Sequence, residues 1–93
     1  MINSFTHKGL ERFYLTGDRS GIDPSHEQKL TLQLTALSSA KSPKDIMVPG
    51  WKAHPMKGKF SGYCSIKVNG NWRLTFRFTA DGHVELVDYH DYH

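Results

Sequence analysis

A single cysteine, Cys64, leaves this chain unable to form an internal disulfide or a cysteine zinc site. Cys64 falls in a strand-like run, where a small buried thiol is expected. No apolar run approaches the roughly 18 residues that a spanning helix needs, and no charged start leads into an apolar stretch. Both absences argue against membrane insertion or export and for a cytoplasmic protein. Residues 80–93 contain no Lys or Arg but four acidic groups, whereas residues 41–79 hold eight basic groups and one acid. That segregation, rather than the overall charge of +3, is informative: a central segment of net +7 attracts a polyanion, and the tail sets carboxylates beside it.

What is present fits one small domain. With 93 residues and 38% hydrophobic content, residues 1–93 are expected to form a single core that buries roughly 60 to 65% of the unfolded chain's surface. Ile2–Phe5 is a short apolar run that suits a first strand. Leu10, Phe13 and Tyr14 then recur at helical spacing over Lys8 to Leu15. Asp23 followed by Pro24 is a strong helix start, and Leu30, Leu34 and Leu37 share the face that follows. Ser42 and Pro43 cap one further turn through Met47, before Pro49 and Gly50 end it.

The second half changes period. Tyr63 to Val68, Trp72 to Phe78 and Val84 to Tyr89 alternate and read as an antiparallel meander. A three-residue loop at Asn69–Asn71 sets Val68 opposite Trp72, Ile66 opposite Leu74 and Cys64 opposite Phe76. The same logic at Ala80–Gly82 pairs Phe78 with Val84, Phe76 with Leu86 and Arg77 with Glu85. Ile66, Val68, Trp72, Leu74, Phe76, Phe78, Val84 and Leu86 then form the buried face. The open face carries Tyr63, Lys67, Arg73, Arg77, Tyr89 and, if the last strand continues, Asp91 and His93. Cations interleaved with aromatic rings suit nucleic acid, since Arg and Lys hold phosphates while rings stack on bases.

Two segments carry proton-transfer groups. The ending Tyr89, His90, Asp91, Tyr92, His93 places Tyr89, Asp91 and His93 on one side of an extended chain, and His90 and Tyr92 on the other. A carboxylate beside an imidazole fixes its tautomer and favours the charged ring, which suits general acid or base work. His90, Asp91 and His93 also offer metal-ligand atoms. Three crowded into four residues lack the fixed frame of a zinc site, so no metal is expected. The second segment, Pro49 to Lys59, is too rich in breakers for a helix, and Pro55 pushes His54 toward an extended conformation. Lys52, Lys57 and Lys59 bring charge there, with Gly58 allowing close approach to a phosphate. Lys8, Arg12, Arg19 and Lys29 read as solvated helix faces.

Ile2-Asn3-Ser4-Phe5, His7-Lys8-Gly9-Leu10, His54-Pro55-Met56-Lys57-Gly58, Gly62-Tyr63-Cys64-Ser65-Ile66, Asn71-Trp72-Arg73-Leu74-Thr75-Phe76 and Asp91-Tyr92-His93 together resemble the HigB family. These are RelE-like toxins of bacterial type II toxin–antitoxin systems. No single motif is specific; their order from end to end is. The resemblance implies an α+β, RelE-like fold, a small antiparallel sheet with two or three helices packed on one face. It also implies ribosome-dependent cleavage of mRNA in the A site of the 70S ribosome, without metal or cofactor: the 2′-hydroxyl attacks the adjacent phosphate, leaving a 2′,3′-cyclic phosphate and a 5′-hydroxyl. The implied partner is a HigA-like antitoxin with a helix-turn-helix domain, through which operator DNA is bound indirectly.

By motif match, His54, Lys57, Arg73, Asp91, Tyr92 and His93 are the catalytic candidates. Lys52, Lys59, Lys67, Arg77 and Tyr89 are the RNA-binding candidates. Arg73 presents fixed donors that match phosphate oxygens, and Lys57 is a point charge for the same group. His54 and His93 can each serve as base or acid. Asp91 either orients a ring or takes the proton itself, and Tyr92 stacks on a base or packs. The competing reading is a non-cleaving module that binds ribosome, RNA or antitoxin. A third is a structural partner that only completes a DNA-binding repressor complex.

Overall fold

The computed structural model describes residues 1–91. Helix α1 (Lys8–Thr16) starts where His7 Nδ1 accepts the Leu10 backbone N–H at 2.9 Å and stops at Gly17, whose φ of 82° reverses the chain. Its inward face supplies Leu10 and Phe13. Near its start the backbone of Gly9 passes so close to Gly21 that a Cβ added at Gly9 would lie 2.7 Å from the Gly21 Cα. Glycine is needed on both sides of that crossing.

The Asp23–Pro24 signal is used as its chemistry dictates. The Asp23 carboxylate accepts the Ser25 backbone N–H at 2.9 Å, a 3₁₀ turn covers Pro24–His26, and helix α2 (Glu27–Ser39) follows. Leu30, Leu34 and Leu37 face inward and are buried. A second 3₁₀ turn, Pro43–Ile46, is closed by reciprocal hydrogen bonds between Ser42 and Asp45. It buries Ile46. Among the described residues no helix is long and apolar enough to cross a membrane.

Four antiparallel strands follow in spatial order β1-β2-β3-β4: β1 (His54–Pro55), β2 (Tyr63–Asn69), β3 (Trp72–Phe78) and β4 (Val84–Asp91). The expected extended conformation at His54 holds, and it goes further by pairing His54 with Ser65 at the sheet edge. The N-terminal segment reaches the opposite edge, where Ile2 and Phe5 form isolated parallel bridges to Val84 and Val87. The strand expected over Ile2–Phe5 is therefore reduced to those two bridges. One face of the sheet closes a core with both helices; Ile66, Leu74, Phe76, Val84 and Val87 join the leucines there.

Ile66–Leu74, Cys64–Phe76, Phe78–Val84 and Arg77–Glu85 pair as the alternation requires. Two expected pairs do not form. Asn69, not Val68, stands opposite Trp72, because the register shifts between Lys67 and Asn69 and the hairpin closes over Gly70–Asn71. Phe76 does not pair with Leu86: the register shifts between Thr75–Asp88 and Arg77–Glu85, so Leu86 and Val87 share the place opposite Phe76. Leu86 takes up the distortion with a φ of 57°. Its backbone N–H, lost to the ladder, is accepted by Ser4 Oγ at 2.9 Å.

An extra residue inverts the parity of everything beyond it. Leu86 leaves the core face, where Val87 and Tyr89 are buried instead. Asp88 and His90, the cross-strand partners of Thr75 and Arg73, take the open face. Cys64 is half-buried against the core rather than within it, and burial pushes its thiol pKa upward.

Candidate functional site

The short strand β1 is the element that builds the site. By pairing with β2 it fixes the His54–Lys57 segment along the edge of the sheet, and His54, Pro55, Met56, Lys57, Ser65 and Arg73 enclose a cleft of about 360 Å³. Two of the lining residues each carry one side-chain atom that is shielded from solvent and makes no hydrogen bond among the described residues, Arg73 Nη1 and Ser65 Oγ. A buried guanidinium nitrogen left unpaired is costly, and so is a buried hydroxyl. The guanidinium of Arg73 carries five N–H donors in a fixed fork that matches phosphate oxygens, so a cleft it lines suits an anion.

The wider electrostatics point the same way. Lys67 and Arg73 are directly opposite each other in β2 and β3, and His90 is opposite Arg73 in β4. Like charges in cross-strand register repel. The Lys67–Arg73 pair next to the cleft is therefore an arrangement that a bound anion relieves.

His54 is exposed at the mouth, and its Nδ1 lies 3.1 Å from the Pro55 carbonyl oxygen. Because that oxygen only accepts, Nδ1 is the donor. In the neutral ring Nε2 then keeps its lone pair. The imidazole is thus held in the tautomer that can accept a proton at Nε2.

The expected catalytic residues divide into three groups. His54, Lys57 and Arg73 are brought together around one cleft. Asp91 ends β4 opposite Trp72 and is exposed, but the bulge corrects its expected place: it takes the side of the strand that Tyr89 and Trp72 take, not the open face that carries Arg73. Tyr92 and His93 lie outside the described residues.

Of the expected RNA-binding residues, Lys67 is on the open face beside Arg73. Lys52 and Lys59 are exposed on the segments flanking the cleft, Lys59 with its Nζ 5.4 Å from the centre of the Phe60 ring. Arg77 also faces outward but is engaged by Glu85, with Nη2 to Oε2 at 2.6 Å, and lies over the Tyr63 ring. Tyr89 is a correction. The bulge turns it inward, where it is 3% exposed and stacked on Trp72 with centroids 4.6 Å apart. Its hydroxyl accepts the Asp23 backbone N–H at 3.3 Å and meets His26 Nδ1 at 2.7 Å. Burial raises its pKa.

Sequence reasoning missed Ser65, Asp88 and His90. For Ser65 the signal was available, since it lies between Tyr63 and Lys67 with the same parity. Asp88 and His90 are on the open face only because of the bulge, which alternation does not report.

The comparisons with known proteins agree with this architecture. The chain is 38% identical over 93 residues to Endoribonuclease HigB of Proteus vulgaris, covering the full length of both. It is 37% identical to Toxin HigB-1 of Vibrio cholerae serotype O1, covering all of this chain and 98% of that one. In fold it is similar to a YafQ variant from E. coli, with a TM-score of 0.63 at 21% identity, covering 98% of this chain and 91% of that one. It is likewise similar to the YoeB–YefM complex from Staphylococcus aureus, with a TM-score of 0.59 at 19% identity, covering 97% and 98% of the two chains. Residues 3–93 match the family model of the RelE-like HigB toxins of type II toxin–antitoxin systems, and the chain belongs to that family.

Proposed function

We propose that this toxin is an endoribonuclease that cuts mRNA in the ribosomal A site and so stops translation. The observation that carries the reading is the cleft that Arg73 and Ser65 line together with Lys57 and His54. In this reading His54 Nε2 takes the proton of the RNA 2′-hydroxyl, and the freed oxygen attacks the adjacent phosphorus. Arg73 and Lys57 stabilise the extra negative charge of the crowded phosphate. The bond to the 5′-oxygen breaks, and that oxygen takes a proton from His93. The products are a 2′,3′-cyclic phosphate and a 5′-hydroxyl. Each step uses only side chains of the protein, and the mRNA is positioned by the ribosome, which supplies the alignment that a small open site lacks.

As a toxin of this family the protein has an antitoxin partner; we take it to be HigA-like, with a helix-turn-helix domain that carries the pair to operator DNA. The purified protein should be incubated with mRNA-programmed ribosomes in chelator and the cut ends mapped by primer extension. Codon-phased cuts from the wild type, lost in a folded Arg73→Ala protein, are the expected result. No cuts from folded, ribosome-bound wild type would replace this reading with that of a non-cleaving binding module.

A further inference from the structure

A second cleft, of about 270 Å³, opens on the same sheet face, lined by Phe60, Tyr63, Thr75, Leu86, Asp88 and His90 among others. It is adjacent to the phosphate cleft. His54, Ser65, Thr75 and Asp88 are successive cross-strand partners and so form one lateral row over all four strands. The first two residues of that row line one cleft and the last two the other. Neighbouring strands are about 4.8 Å apart, so the two clefts are within the reach of a single nucleotide.

The lining is mixed in a way that suits a base. Phe60 is exposed, with its ring edge-on to Tyr63 at 6.1 Å, and offers an apolar face for stacking. Leu86 adds an apolar wall. Opposite them is a carboxylate: Asp88 Oδ1 accepts the Tyr89 backbone N–H at 2.9 Å, and Oδ2 makes no hydrogen bond among the described residues. Thr75 Oγ1 and His90 Nε2 lie 3.3 Å apart beside it.

This cleft exists because of the bulge. With regular alternation, Val87 and Tyr89 would occupy the places of Asp88 and His90. A left-handed leucine at φ 57° is a conformation that side chains rarely adopt, and such distortions re-aim side chains next to functional sites.

We infer that the Phe60–Leu86–Asp88 cleft is a base-recognition subsite that selects an amino-bearing base, adenine, cytosine or guanine, next to the cut phosphate and rejects uracil. The inference rests on the nuclease reading above. An ionised carboxylate only accepts hydrogen bonds, and those three bases present N–H₂ groups to it. Uracil offers one N–H between two carbonyl oxygens, which the carboxylate repels. Asp88→Asn keeps the shape but adds a donor, and so removes the bias.

The test compares cleavage of four programmed messages that differ only in the base occupying the subsite, with wild-type and Asp88→Asn proteins. Wild type is expected to disfavour uracil, and the variant to lose about tenfold of that bias. A bias unchanged in Asp88→Asn would overturn the subsite and leave the nuclease reading intact. Titration of short 2′-O-methyl oligonucleotides into ¹⁵N-labelled protein separates the two ideas, because it needs no cleavage. Shifts of the Leu86 and Asp88 amides that are larger with adenine, cytosine or guanine than with uracil would support the subsite even if nothing is cut. Shifts confined to Ser65 and Arg73, or none, would overturn it.

Discussion

Lys67 stands directly opposite Arg73 across β2 and β3, two like charges as cross-strand partners beside the cleft that Arg73 lines. Opposed like charges cost roughly 0.2–1 kcal/mol, so the free protein is less stable than its topology allows. Lys67→Glu should raise stability by about 0.5 kcal/mol in urea denaturation. The same change should slow cleavage by programmed ribosome assay, because it places a carboxylate where a phosphate is expected. Gain in one measurement and loss in the other is the expected pair. Loss of stability would show that the repulsion is already relieved within the protein.

Ser4 controls the parity of the C-terminal strand from the other end of the chain. Its Oγ accepts the Leu86 N–H that the bulge removes from the ladder, at 2.9 Å. Ser4→Ala leaves that part-buried donor without its partner and should destabilise by about 1–2 kcal/mol. Chemical shifts of Asp88 and His90 should move with it, while those of α2 stay in place. Equal shifts throughout both regions would argue for a global rather than local effect.

These residues also show why the sequence was legible only in part. The helices were readable because their signals are local: Asp23–Pro24 and Ser42–Pro43 act on N–H groups within three residues, and the leucines of α2 repeat every turn. Ile66–Leu74 and Phe78–Val84 were readable because alternation and a nearby turn agree. The Leu86 bulge was not, since its stabilising partner is 82 residues away and nothing in Val84–Tyr89 departs from strand composition. That one inserted residue sent Tyr89 to the core and brought Asp88 and His90 to the site. His54, Lys57 and Arg73 could be named individually, but their meeting depends on the short edge pairing of β1 with β2, which a segment full of Pro and Gly does not advertise.

Tyr89 offers a direct check of that inversion. Its hydroxyl satisfies the Asp23 N–H and meets His26 Nδ1 at 2.7 Å in a buried setting. Tyr89→Phe should therefore cost about 1–3 kcal/mol of stability by leaving both groups unpaired. The ribosome-dependent cutting rate, measured well below the melting temperature, should be nearly unchanged. A protein of full stability with weakened RNA cutting would return Tyr89 to the open face.

The acid limb of stability should depend on Asp45. The Lys41 backbone N–H is bonded to its carboxylate at 2.9 Å and holds its pKa below 3.8, with Ser42 and the neighbouring lysines adding to the effect. A depressed folded pKa contributes stability above the unfolded value, and that contribution is lost as pH falls through the folded one. Asp45→Asn should thus be less stable than wild type at neutral pH, with the difference narrowing below pH 3.8. Denaturation midpoints across that range test it; a gap that widens on acidification would reverse the sign.

His93, if it protonates the departing 5′-oxygen, should be dispensable when that oxygen needs no proton. His93→Ala is expected to fold normally and to cut natural mRNA roughly 10²–10⁴-fold more slowly, the usual worth of a general acid or base. Replacing the bridging 5′-oxygen by sulfur supplies a leaving group that departs as the thiolate. The His93→Ala protein should then recover most of its rate, whereas His54→Ala should not, because removal of the 2′-hydroxyl proton is still required. Rescue of the His54 variant and not of the His93 variant would exchange the two roles.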